Sequence, residues 1–166
     1  MEILTKDLRW QRGVLVALRF IIGWHFLYEG LYKLMHPEWS ALGFLANAQW
    51  IFSGVGQWIV SHPGVLNTVD VLNTWGLMAI GLGLVLGLFT RIASLAGVVL
   101  LMLYYLFNPP FIGLEAGGPV EGNYLMVNKT LIEAVTLLYI AVTPLSRYLA
   151  LDMLRRTYTK STPNHD

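Results

Sequence analysis

The stretch RFIIGWHFLYEGLYKLMH, Arg19 to His36, constrains this chain more than any other feature. It is apolar and aromatic enough to lie in lipid, yet it carries Arg19, His25, Glu29, Lys33 and His36. A segment crossing a bilayer as a helix needs about 20 mostly apolar residues. Every backbone donor and acceptor must then be satisfied within the segment, which favours a helix. Four segments answer to that description: residues 13–35, 69–89, 92–107 and 125–143. The paired prolines of FNPPF end the third, because they remove donors and break a helix, and Pro144 ends the fourth. Composition agrees: 55% of residues are hydrophobic and 13% charged, against about 25% charged in a soluble domain.

The placement of charge orients the bundle. Lys6, Arg9 and Arg12 precede the first span, Arg91 lies between the second and third, and Arg147, Arg155, Arg156 and Lys160 follow the fourth. The two other loops, 37–68 and 108–124, hold no Lys or Arg. The positive-inside rule therefore predicts both termini in the cytoplasm. The loop segment 40–64 is apolar but interrupted by glycine and polar residues. It is expected to form one or two short helices on or in the outer leaflet, with Trp39, Trp50 and Trp58 suited to the interface. The expected fold is an all-α integral membrane protein, a four-transmembrane-helix bundle with a long, partly helical outer loop between helices 1 and 2. It forms one domain over residues 1–157, with an interfacial segment at about 40–60 and a disordered polar tail at 158–166. No cleavable signal peptide is expected, since no small-residue cleavage site follows the first apolar run. The second span carries Gly76, Gly81, Gly83 and Gly87, a small-residue pattern that lets helices approach closely. A contact within the chain is the favoured reading and a homo-oligomer interface the alternative.

The polar residues of the first span share a face. With Arg19 at zero and about 100° per residue, His25 falls near 240°, His36 near 260°, Glu29 near 280° and Lys33 near 320°. That third of the circumference cannot face lipid and must look into the bundle or a wet cavity. Asn128, Lys129, Glu133 and Thr136 on the fourth span occupy an arc of about 140° by the same geometry. If the spans alternate in direction, Glu29, Lys33, Asn128, Lys129 and Glu133 all sit near the outer end. One polar pocket is expected there, roofed by the tryptophan-rich loop, with Arg19 deeper. A purely structural reading pairs Arg19 or Lys33 with Glu133, and Glu29 with Lys129.

The chemistry open to such a pocket is narrow. The absence of cysteine excludes disulfides, thiol redox chemistry and iron–sulfur ligation. Of the four histidines only His25 lies well inside a span, so neither haem nor a metal is expected. No phosphate-binding glycine loop, nucleophile elbow or dinucleotide fingerprint is present, and no nucleic-acid partner is expected. Binding of an amphipathic molecule remains. A quinone would need polar donors for its carbonyls, which Arg19, His25, Trp24, Tyr28, Tyr104 and Tyr105 could supply. A histidine or a carboxylate could relay the protons of its reduction.

The first span, LRFIIGWHFLYEGLYKLMHP, together with GLGLVLGLFTRIASLAG and NKTLIEAVTLLYIA, resembles the DoxX family of membrane proteins. The long outer segment with WIFSGVGQWI is similar to the DoxD-type subunit of thiosulfate:quinone oxidoreductase. The resemblance implies a bacterial inner-membrane protein that feeds electrons to quinone beside a soluble or peripheral oxidoreductase subunit. On that reading His25 and Glu29 handle protons, while Arg19, Lys33, Asn128, Lys129, Glu133, Trp24, Tyr28 and Tyr104 shape the quinone site. The alternatives are a small-molecule carrier using the same pocket, and a non-catalytic anchor for a soluble enzyme.

Overall fold

The computed structural model describes residues 2–110 and 126–143. Within them the elements are α1 (Glu2–Met35), α2 (Leu42–Ala46), a 3-10 turn (Trp50–Phe52), α3 (Ser53–Val60), α4 (Pro63–Leu86), α5 (Thr90–Phe107) and α6 (Lys129–Val142). Three helices are long and apolar enough to cross a membrane, at Trp10–Met35, Pro63–Leu86 and Thr90–Phe107. The fourth expected span corresponds to α6, whose 14 residues measure about 21 Å at 1.5 Å each. That is less than a bilayer core of about 30 Å. Leu125 and the residues from Pro144 onward, with the 158–166 tail, lie outside the described residues.

Helix boundaries follow local chemistry. Pro63 stands at the first position of α4, where its missing N–H costs nothing, so this helix begins six residues before the expected Val69. Gly87 closes α4 with φ 67°, the left-handed conformation that a residue without Cβ adopts freely. It therefore caps a helix instead of forming half of a small-residue contact with Gly83. The tight turn at Gly87–Phe89 lets α5 fold back along α4. Asn128 caps α6, its side-chain oxygen accepting from the Leu131 N–H at 3.0 Å.

Packing sorts the long helices into two pairs, α1 on α4 and α5 on α6, joined through the α4–α5 hairpin. Gly81 makes the first pair close: a Cβ there would overlap the Leu27 backbone nitrogen and stand 2.8 Å from the Gly23 carbonyl oxygen. The contact expected of the glycines in this helix therefore lies within the chain and is made by Gly81. The shared core is formed by Ile22 and Phe26 of α1, Leu77, Ile80 and Leu84 of α4, Leu101 of α5, and Leu137 and Ile140 of α6.

The segment between α1 and α4 folds into two short helices and a 3-10 turn, over one end of the bundle. Ala41, Leu45 and Ala48 form a second apolar cluster with Phe107, the last residue of α5. Phe52 stacks on Phe107 with ring centroids 5.0 Å apart. The Gln49 N–H donates to the Phe107 carbonyl at 2.8 Å. Asp70 of α4 receives two more hydrogen bonds from the segment, from Ser40 Oγ and from the Ala41 N–H, each at 2.7 Å.

Candidate functional site

Beneath that segment lie two cavities that share four wall residues: Glu29 and Lys33 of α1, Tyr104 of α5 and Thr130 of α6. The larger, about 370 Å³, is bounded by Trp39, Ala41 and Phe44 from the covering segment, by Asn73 of α4, and by Asn108 and Asn128. The smaller, about 210 Å³, extends toward His25 on α1 and Lys129 and Glu133 on α6. It lies where the two helix pairs face each other, α1 across from α6. Small-molecule sites commonly span about 300–1,000 Å³ and combine apolar walls with a few converging polar groups.

Two polar arrangements cross these cavities. In the first, Lys33 Nζ donates to Asn73 Oδ1 at 3.0 Å, and Asn73 Nδ2 donates to the Tyr104 hydroxyl at 2.6 Å. The ammonium also lies 4.4 Å from the Trp39 ring centroid, an attractive cation–π geometry that fixes the roof against α1. In the second, His25 Nδ1 is 3.1 Å from Glu133 Oε1. The other carboxylate oxygen, Oε2, is buried and meets no hydrogen-bond partner among the described residues. A buried acceptor without a donor costs about 1–3 kcal/mol, which a ligand donor or a bound proton would relieve.

The structure brings His25, Glu29, Lys33, Tyr104, Lys129 and Glu133 together at one end of the bundle. Their pairing differs from the helical-wheel expectation. Among the described residues no ion pair within 4 Å joins Glu29 to Lys33 or to Lys129. His25 faces Glu133, on a different helix, with Glu29 on the wall of the same cavity, and Lys33 turns to a neutral amide. Asn128 lines the larger cavity but spends its oxygen on capping α6. Trp24 and Tyr28 do not join the site: they are 54% and 57% exposed on the outer flank of α1 and line neither cavity. Arg19 is 4% exposed and also lines neither. It lies ten residues before Glu29, about 15 Å along the axis. His36 leaves the polar face as well: its ring stacks on Tyr32 at 4.1 Å, with Nδ1 2.8 Å from the Tyr32 carbonyl.

Sequence reasoning missed Asp70 and Asn73. Both stand in VDVLNTWG, where Asp70, Asn73 and Thr74 recur at the i, i+3, i+4 spacing of one helix face. That polar stripe was the available signal. The glycines farther along the same helix drew the reading instead.

A bundle of long apolar helices with a charged cavity at one end defines a multi-pass membrane protein. The DoxX family matches residues 14–108, more than half of the chain, from within α1 through the end of α5. The chain belongs to the DoxX family, a family of membrane proteins. No curated protein and no solved structure gives a significant match to it.

Proposed function

We propose that this protein is the membrane subunit of a quinone-coupled oxidoreductase, similar in role to the DoxD-type subunit of thiosulfate:quinone oxidoreductase. It binds the head group of a quinone in the paired cavities. The observation that carries this reading is the juxtaposition of a proton-handling pair, His25–Glu133 at 3.1 Å, with a cavity of about 370 Å³ walled by Lys33, Asn73 and Tyr104. A quinone ring needs an apolar slot, and Phe44 and Trp39 supply aromatic faces. Its carbonyls need donors, and the Lys33 and Tyr104 walls supply them. Its reduction takes two electrons and two protons. His25 and Glu133 are placed to pass protons, with Glu29 between them and the larger cavity. Electrons come from a soluble or peripheral oxidoreductase subunit, since the chain has no cysteine to hold a cluster. The four-span layout, the bacterial inner membrane and cytoplasmic termini complete the proposal, supported by the loop charges.

Lipid extraction of the purified protein, followed by mass spectrometry, tests it. Wild type is expected to carry stoichiometric quinone, and a Glu29→Gln, Glu133→Gln variant to lose it while keeping its helical content. A wild-type protein that neither retains quinone nor binds it when added back refutes the reading, and substrate uptake in sealed vesicles would then point to a carrier.

A further inference from the structure

The chain Lys33–Asn73–Tyr104 has a direction that its chemistry enforces. An ammonium has only donors. The Asn73 atom 3.0 Å from Lys33 Nζ must therefore be the carboxamide oxygen, which leaves the amide nitrogen to face Tyr104 at 2.6 Å. That nitrogen is a donor, so the Tyr104 oxygen acts as its acceptor and the tyrosine keeps its own hydrogen for another partner. Among the described residues no acceptor is found for that hydrogen. Tyr104 lines both cavities.

We propose that Asn73 is a positioning residue whose fixed amide orientation makes Tyr104 present an O–H donor to the cavity, so that the site selects head groups offering an acceptor oxygen. In the quinone reading, on which the choice of ligand rests, this means the oxidised quinone carbonyl is favoured over the hydroxyl of the reduced form. The polarity comes from the cation at one end of the chain: a charge on α1 dictates, through an amide on α4, what a phenol on α5 offers to a ligand.

Asn73→Asp is the informative variant because it keeps size and strengthens the link to Lys33. A carboxylate has acceptors only. It would take the Tyr104 hydrogen for itself and leave the phenol oxygen facing the cavity as an acceptor. Binding of a short-chain benzoquinone and of its hydroquinone is measured by equilibrium dialysis on the purified full chain in nanodiscs. The expected result for Asn73→Asp is roughly tenfold weaker quinone binding, equivalent to about 1.4 kcal/mol, with hydroquinone binding retained or tightened. Tyr104→Phe should weaken quinone binding by a similar factor. Equal loss of both ligands in Asn73→Asp, or no change in either, overturns the proposal while leaving the quinone reading intact.

A second measurement needs no ligand. The Raman tyrosine doublet, taken as wild type minus Tyr104→Phe, reports whether this hydroxyl accepts or donates. It is expected to accept in wild type and to donate in Asn73→Asp. A wild-type Tyr104 found donating within the protein overturns the inferred polarity even if quinone binds. An accepting Tyr104 in a protein that binds neither quinone nor hydroquinone upholds the polarity and removes the quinone reading.

Discussion

Replacing Gly81 by alanine adds one methyl group at the tightest point between α1 and α4. A Cβ there would stand 2.7 Å from Leu27 Cα and 2.8 Å from the Gly23 carbonyl oxygen, where ordinary contact begins at 3.4 Å. These are backbone atoms, so no side-chain rotation relieves the clash. The Leu27 backbone nitrogen is closer still, so α1 must retreat by about 1 Å, and a gap of 0.5–1 Å forfeits roughly a quarter to a half of each dispersion contact along the seam. Overpacking of this kind costs about 1–3 kcal/mol. At about 2–4 °C per kcal/mol for a chain of this size, the melting temperature should fall by roughly 2–12 °C. Gly76 on the same helix provides the control, since a Cβ there meets nothing within 4 Å. Alanine at Gly76 should be neutral or slightly stabilising, because alanine is the better helix former by about 1 kcal/mol. Thermal unfolding in one detergent, followed by circular dichroism, compares the three proteins. If Gly81→Ala melts with wild type, α1 and α4 do not approach this closely at Gly81.

Other consequences can be checked independently. A double-mutant cycle with His25→Ala and Glu133→Ala should give a coupling of at least about 0.5–1 kcal/mol, read from unfolding midpoints; strict additivity would mean that the 3.1 Å contact is not formed. Asp70→Ala removes the acceptor for Ser40 Oγ and the Ala41 N–H, bonds to a charged group worth about 1.5–3 kcal/mol. Amide exchange should quicken at Ala41 and Leu42 but stay unchanged in the core of α5. The chain has no cysteine, so single cysteines report topology cleanly. If both termini are cytoplasmic, as proposed, Asn47→Cys should react with an impermeant thiol reagent in intact cells and Arg91→Cys only after permeabilisation. The opposite pattern would refute the proposed orientation.

Most of the helical architecture could be read from the chain because it rests on local quantities. Apolar runs of sufficient length set α1, α4 and α5. FNPPF marked the end of α5, which closes at Phe107. The interrupted composition of 40–64 matched its two short helices. Gly87 was harder: in sequence it looked like one more small residue for helix contact, and only its φ of 67° reveals a cap. The polar face of α1 was legible down to the residues His25, Glu29 and Lys33, since helical periodicity alone forces them to one side. Trp24 and Tyr28 were misplaced because aromatic chemistry was weighed without asking where they fall on that wheel; a helix turn puts them on the opposite flank, exposed.

The sequence by itself therefore determined that this is a helical membrane protein with charges gathered on one face of its first span and one face of α6. Tertiary structure alone decided which charges meet. Whether Glu133 answers His25 or Lys33, and whether Lys33 finds a carboxylate or the amide of Asn73, depends on the relative rotation and depth of helices far apart in sequence. A shift of one helix by one residue moves a side chain about 100° around its axis, and the periodicity of each helix is silent about its neighbour's setting. The close seat of α1 on α4 at Gly81 sets Lys33 against Asn73, and the packing of α6 on α5 and of that pair against α1 brings Glu133 to His25.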